Sequence, residues 1–365
     1  NYSGTAANSG SDVIGMTKLG PAFYFGDMAV GAQSGGSFAS FLTILNPPAS
    51  PTATVTATYY AGGIQVGQQV VIVAGGTRGT IYPNRASQAL PARVAVVVTS
   101  NQPVAVERPT YFDHIAAGNA GTISGAADVI GVQTLSNDWL FAEGYTGGKF
   151  QENLVIANVD LAHAAAAVTV TLEFPNGTTQ TSNFNVPANS QYVYNVNTLG
   201  GGQSVSAEVK SSGAQIVAER EMFFQYSHNA NGRILNAVGG TDVLGQSGPA
   251  ALSNYSFAEG YVNVGYDEWL TIQNPTAVTE AITVGLVNAK GTVYIFQLSV
   301  VGHSRYTVDI TGTVIQHLYH TGDGFMGYEV AMVVQSSSPF IAERPMYWNT
   351  SGTTGGSATI GYVGG

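Results

Sequence analysis

The sequence predicts an all-β chain of three tandem sandwich domains, and three observations carry that prediction. Four sequence anchors recur three times, in one order and at nearly one spacing. Between anchors, apolar and polar residues alternate with the period of two that a half-buried strand requires. The alternating runs stop at Gly, Asn and Pro clusters, and no stretch carries a convincing helical period.

The first anchor is a Glu-Arg run followed by aromatics: VAVERPTYF ending at Phe112, IVAEREMFF at Phe224 and FIAERPMYW at Trp348. The second is LFAEGY at Leu140–Tyr145 and SFAEGY at Ser256–Tyr261, with a worn copy, FYFGDM, at Phe23–Met28. The third is Asp-Val-Ile/Leu-Gly from Asp12, Asp128 and Asp242; the fourth is an apolar strand running into Asn46, Asn158 or Asn274. A fixed period of this length marks repeated structural units. The repeats are drawn at 1–112, 113–226 and 227–349, followed by a tail at 350–365.

Within the middle repeat, AAVTVTLEF alternates at period two, turns at Pro175-Asn176-Gly177, and returns as TTQTSNFNV. Asn288–Gly291 and Gly62-Gly63 mark the same hairpin in the other copies. NSQYVYNV, HSRYTVDI and GTRGTIYP follow, then a strand such as SVSAEVKS, then the Glu-Arg strand. Each copy thus holds seven or eight short strands. Leu161–Ala167, the best helical stretch, is short and runs into β-branched residues. Evenly spaced short strands with such turns predict two-sheet sandwiches, immunoglobulin-like in broad architecture.

Composition excludes several functions. Charged residues are 9% of the chain, against roughly 25% in ordinary domains. With 12 Lys and Arg and a net charge of −10, no basic patch can track a phosphate backbone or dock on an anionic membrane. The absence of cysteine removes disulfides, thiolate metal sites and a cysteine nucleophile. No apolar run reaches the roughly 18 residues of a membrane span. A chain opening at Asn1 reads as a processed form, and sequons at Asn1, Asn176, Asn254 and Asn349 fit export.

FAEG, then an apolar strand with Asn-Pro, then VPANSQY, then AERPMY resembles a tandem β repeat of secreted and surface-anchored bacterial proteins. The resemblance is good in the second and third copies. The first departs from it at Asp27, Gly76-Thr77 and prolines 47, 48 and 51. It implies an extracellular or cell-surface location and no catalytic residues.

The charged residues fall at matched positions: Asp12, Asp27, Glu107 and Arg108; Asp128, Glu143, Glu219 and Arg220; Asp242, Glu259, Glu343 and Arg344. A carboxylate pair could serve acid–base or glycosidic chemistry. Three equal active sites on one chain would be unusual, whereas repetition naturally copies a structural ion-pair clasp, and the clasp is the expectation. Adjacent Glu and Arg on a strand point to opposite faces. One of them must therefore look toward a sheet interior or a neighbouring domain. Calcium lacks a D-x-D-x-D spacing; His317, His320 and Asp323 have a zinc-like spacing in the third copy alone. No cofactor, P-loop or nucleophile elbow is expected. Trp139 and Trp269 do not align, which weakens a repeated sugar-stacking site.

The Asp-Val-Ile-Gly segment occurs a fourth time as Ala358-Thr359-Ile360-Gly361, although the domain body occurs three times. One copy is therefore spare, and a spare strand is the ingredient of strand addition between subunits. The candidates are Asp12, Val13, Ile14 and Gly15 at one end, and Thr359, Ile360, Gly361 and Tyr362 at the other. The expected protein is an extracellular structural subunit of a fibre, sheath or layer, partnered head to tail with itself. A truncated piece of a longer array accounts for the spare copy equally well. The alternative functions are a multivalent array binding cell-surface glycans and the stalk of a larger secreted protein.

Overall fold

In the computed structural model the chain is nearly all β, in several open antiparallel sheets. It describes residues 10–363 apart from 12, 34–35, 88, 161–164, 200–201, 231–232, 249–252, 290, 292, 318–328 and 351. The first group of strands is β1 (Gly20–Phe25), β2 (Gly31–Gln33), β3 (Gly36–Ser40), β4 (Leu42–Asn46), β5 (Ala53–Ala61), β6 (Ile64–Val73), β7 (Thr77–Ile81), β8 (Ala95–Ala116) and β9 (Thr122–Ile130). The second is β10 (Asp138–Phe141), β11 (Lys149–Asn158), β12 (Ala165–Glu173), β13 (Thr179–Pro187), β14 (Ser190–Asn195), β15 (Ser206–Ser212), β16 (Val217–Ala230), β17 (Arg233–Leu244) and the short β18 (Gln246–Ser247). The third is β19 (Asn254–Phe257), β20 (Tyr266–Asn274), β21 (Glu280–Asn288), β22 (Val293–Val300), β23 (Ser304–Asp309), helix α1 (Ile310–His317), β24 (Val330–Ser336), β25 (Ile341–Thr350) and β26 (Thr353–Ile360).

One strand order recurs in all three groups. One sheet runs β1-β8-β5-β6, β10-β15-β12-β13 and β19-β24-β21-β22. The facing sheet runs β7-β4-β8-β9, β14-β11-β16-β17 and β23-β20-β25-β26. In the first group the long β8 serves both sheets, its first half in one and its second half in the other. Each sheet pair, called a body below, encloses its own apolar core. In β12 the alternation puts Ala166, Val168, Val170 and Leu172 inside and the intervening threonines outward. Trp139 fills the middle core, its indole N–H donating to the Ile216 carbonyl at 2.9 Å. Gly62 and Gly63, both at positive φ (58° and 89°), make the two-residue turn between β5 and β6.

The recurring asparagines tie strand ends to the same sandwich. Asn46 donates to Pro51 and Val73 carbonyls, Asn158 to Val186, and Asn274 to Val278 and Val300. All three are fully buried, so each amide replaces backbone bonds the turn would otherwise leave unmade.

Three readings of the sequence change. The Asp-Val-Ile-Gly segment belongs to the preceding body: β9, β17 and β26 each return as a hairpin along the Glu-Arg strands β8, β16 and β25. Boundaries drawn at 112, 226 and 349 therefore cut through hairpins. For the same reason the C-terminal candidates are not spare. Thr359 and Ile360 pair with Arg344 and Glu343 inside the third body, and Tyr362 bridges to Ser256. Finally, α1 is a helix that the alternation of HSRYTVDI concealed. Asp309 caps it through the Gly312 N–H at 2.7 Å, and Ile310 and Val314, one turn apart, enter the third core. Leu161–Ala164, the first part of the helical candidate, lies outside the described residues, and Ala165–Ala167 is strand.

Candidate functional site

The matched charges are distributed across joints between bodies rather than gathered into one clasp per copy. On β8, β16 and β25 the arginine turns into its own body. Arg108, Arg220 and Arg344 lie over Phe25, Phe141 and Phe257 at 5.7, 5.9 and 6.0 Å from the ring centres. Each also donates to the backbone carbonyl of Asp27, Glu143 or Glu259 in the FAEG segment of its own body. On β16 and β25 the neighbouring glutamate points the other way, into the preceding body.

Glu219 of the second body thus reaches the first. Its carboxylate accepts from the Gly26 N–H at 2.6 Å and from Arg108 at 2.6 Å. Asp242, on the adjoining β17, takes the other arm of Arg108. Glu343 of the third body repeats this in the second, accepting from the Ala142 and Glu143 N–H groups at 2.8 and 3.2 Å and from Arg220 at 2.8 Å. The third body carries Ala358 where the second has Asp242, and Arg220 instead places both arms on Glu343. Arg108, Arg220, Glu219 and Glu343 are all essentially fully buried. Burial pushes the Glu219 carboxyl upward against the pull of Arg108 and the two amides, and it holds Asp242 well above the usual range against Arg108.

Aromatic rings complete each joint. Phe38 and Phe112 of the first body meet Phe223 of the second, with Phe112 and Phe223 edge to face at 5.4 Å. Phe150 and Phe224 of the second meet Tyr347 of the third, with Phe224 and Tyr347 edge to face at 5.0 Å. The paired positions correspond in strand register, Phe38 opposite Phe112 and Phe150 opposite Phe224. At the second joint β17 and β26 approach so closely that a Cβ on Gly239 would stand 3.1 Å from the Gly355 Cα, and one on Gly356 would stand 2.7 Å from the Phe224 ring of β16.

The remaining candidates are dispersed. Asp27 pairs with Arg93, which also holds Glu221 of the second body at 2.7 Å. Glu143 pairs with Arg305 of the third body at 3.2 Å. Glu259 is exposed and Glu107 half-exposed. Asp128 is pushed up to about 6 by burial and by the nearby Glu107. Arg93 and Glu221 escape sequence reading because their positions are not repeated, and Arg305 because its position carries Arg78 in the first copy but Gln191 in the second. Glu152 and Glu268 could have been found: each stands two residues before the central leucine of its strand, in QENL and DEWL. Both are fully buried and pushed up to about 8 by that burial, despite Arg220 and Arg344 nearby.

Asp12, His320, Asp323 and Asn1 lie outside the described residues. His317 stacks on Tyr294 at 4.9 Å, and among the described residues no His, Asp and Glu group has metal-site geometry. Asn176 and Asn349 are exposed, while Asn254 is half-buried at the start of β19. Beside the second joint a cleft of about 260 Å³ opens, walled by Tyr145, Tyr226 and Trp269 with Glu143 and Arg305 at its polar end.

No family model and no curated protein matches the chain. Among solved structures, Thermotoga maritima 1070 is similar at 14% identity and a TM-score of 0.27, over 32% of this chain and 97% of that one. The FN1–FN3 domains of chicken CNTN1 are similar at 10% identity and a TM-score of 0.13, over 85% of this chain and 90% of that one. Likeness at these scores carries no functional argument.

Proposed function

We propose that this is a non-catalytic extracellular structural protein, a component of a surface fibre, sheath or layer. In this reading each sheet pair is an immunoglobulin-like sandwich domain, and assembly proceeds by strand addition through the N-terminal segment. The observation that carries it is where the scarce charges go. In a chain with 12 basic residues, Arg93, Arg108, Arg220 and Arg305 all bind acids of another body. A buried ion pair adds little net stability over an apolar contact but fixes geometry, since a misplaced partner leaves a bare charge. Such joints suit a part whose task is to hold a fixed shape. Electron microscopy of the source cells with a labelled antibody tests this. Label along surface fibres or a continuous layer is the expected result; label confined to the cytoplasm overturns it.

A second reading, a glycan-binding array, is favoured by the aromatic cleft at the second joint, where Trp269 and Tyr145 could stack on a sugar ring. A glycan screen with Trp269→Ala as control decides between the two.

A further inference from the structure

The two closed joints use the same positions, and both halves of a third joint are present but apart. On the third body, Ala258 and Glu259 are exposed, whereas Gly26, Asp27, Ala142 and Glu143 at the matching positions are buried beneath Glu219 and Glu343. Tyr266 and Trp348, matched in register to Phe38–Phe112 and Phe150–Phe224, are only half-buried. On the first body, Glu107 is half-exposed where Glu219 and Glu343 are 0% exposed. Asp128 matches Asp242, the second acid on Arg108, yet its Oδ1 is buried with no partner. Among the described residues neither Glu107 nor Asp128 has an ion-pair partner.

The arrangement around the centre says what is missing. Four Asp-Val-Ile-Gly-type segments line one open cleft of about 330 Å³: Val13–Ile14, and the matching parts of β9, β17 and β26. β9 packs on β17 and β17 on β26. The N-terminal segment lies between the β25–β26 hairpin and β9: a Cβ on Gly10 would stand 3.7 Å from Trp348 of β25, Val13 and Ile14 share a cleft wall with Ala358–Ile360 of β26, and Ser11 Oγ accepts from the Asp128 N–H at 3.0 Å. Three of these segments are the eighth strands of bodies standing outside them. Among the described residues no body stands outside Val13–Ile14.

We propose that the gap between the first and third bodies is the docking site of a fourth sandwich of the same repeat. That sandwich takes the segment ending at Val13–Ile14 as its eighth strand, since Ile14 matches Ile130, Leu244 and Ile360 at the ends of β9, β17 and β26. It sets its glutamate on the Ala258 and Glu259 amides and its arginine against Glu107 and Asp128, closing the series into a ring of four. None of the three described bodies of another copy fits this place. That copy's first body has already received a glutamate and its third has already placed one, so none of the three can complete both sides. The proposal rests on the assembly reading for the strand addition, and it makes this joint a closing one rather than a point of extension.

The test uses the full chain and a synthetic peptide with the sequence of β25, Ile341–Thr350, as a stand-in for the incoming Glu-Arg strand. Titration calorimetry is expected to show saturable one-to-one binding. Binding should weaken about tenfold or more, the scale of a charge-assisted bond, in a Glu107→Gln, Asp128→Asn double variant. An Arg344→Gln change in the peptide should weaken it likewise, and that control holds even if the double variant misfolds. The absence of saturable binding, or binding that either change leaves unaltered, overturns the proposal. Neither result bears on whether the protein coats a surface, which the microscopy decides separately.

Discussion

At the scale of the residue, the alternation of strand side chains explains the Glu-Arg motif. Neighbours on a strand cannot serve one face, so the arginine braces its own FAEG carbonyl and the glutamate of β16 or β25 enters the preceding body's socket. That much was legible in the sequence, as the requirement that one of the pair look elsewhere. The identity of the partners was not, because Glu219 and Arg108 meet across 111 residues and no local pattern encodes that distance. Removing one member of such a pair strands a buried charge. Arg220→Met is therefore expected to cost roughly 3–5 kcal/mol, read by chemical denaturation, because Glu343 loses both arms that hold it. Arg220→Met with Glu343→Leu should recover most of that loss, as apolar replacement of a whole buried pair often does.

At the scale of the element, the strands and turns were legible because burial on one face imposes the period of two, and the Gly and Asn turns punctuate it. Ownership of the eighth strand was not. A hairpin partner and the first strand of a following domain read alike when the linker between them is short. The helix α1 was hidden by the strand that precedes it and by a glycine, Gly312, at its third position. Asp309→Ala should cost about 1 kcal/mol through loss of the cap, with the change confined to the third body by hydrogen exchange. Deleting residues 350–365 removes β26 and bares Tyr255 and Phe257, against which Gly361 packs. The expected outcome is loss of the third body's protection from protease while the first two remain resistant; equal resistance throughout would show that β26 is not part of that body's core sheet.

At the scale of the whole molecule, five acids withdrawn from water share one direction. Asp128 and Asp138 are pushed up to about 6, Glu173 to about 7, and Glu152 and Glu268 to about 8, each with burial as the leading cause. The folded chain therefore keeps protons that the unfolded chain releases near its ordinary carboxylate range. Their stabilisation is fully present below about pH 4 and is lost as pH rises through the folded values, ending just above 8. Melting temperature should fall between roughly pH 4 and pH 8, and Glu152→Gln with Glu268→Gln should flatten that fall; a melting temperature that rises with pH would contradict it.

The central claim is that the repeated glutamate acts by entering a neighbouring body's socket. Glu343 and Glu107 occupy the same position of the same strand, one seated in such a socket and the other not. Calorimetric melting of Glu343→Gln and Glu107→Gln near pH 7 tests it most directly. The expected result is a loss of several kcal/mol for Glu343→Gln, on the order of 3–5, and a change within about 0.5 for Glu107→Gln. Equal effects at the two positions, whether both large or both negligible, would contradict the account.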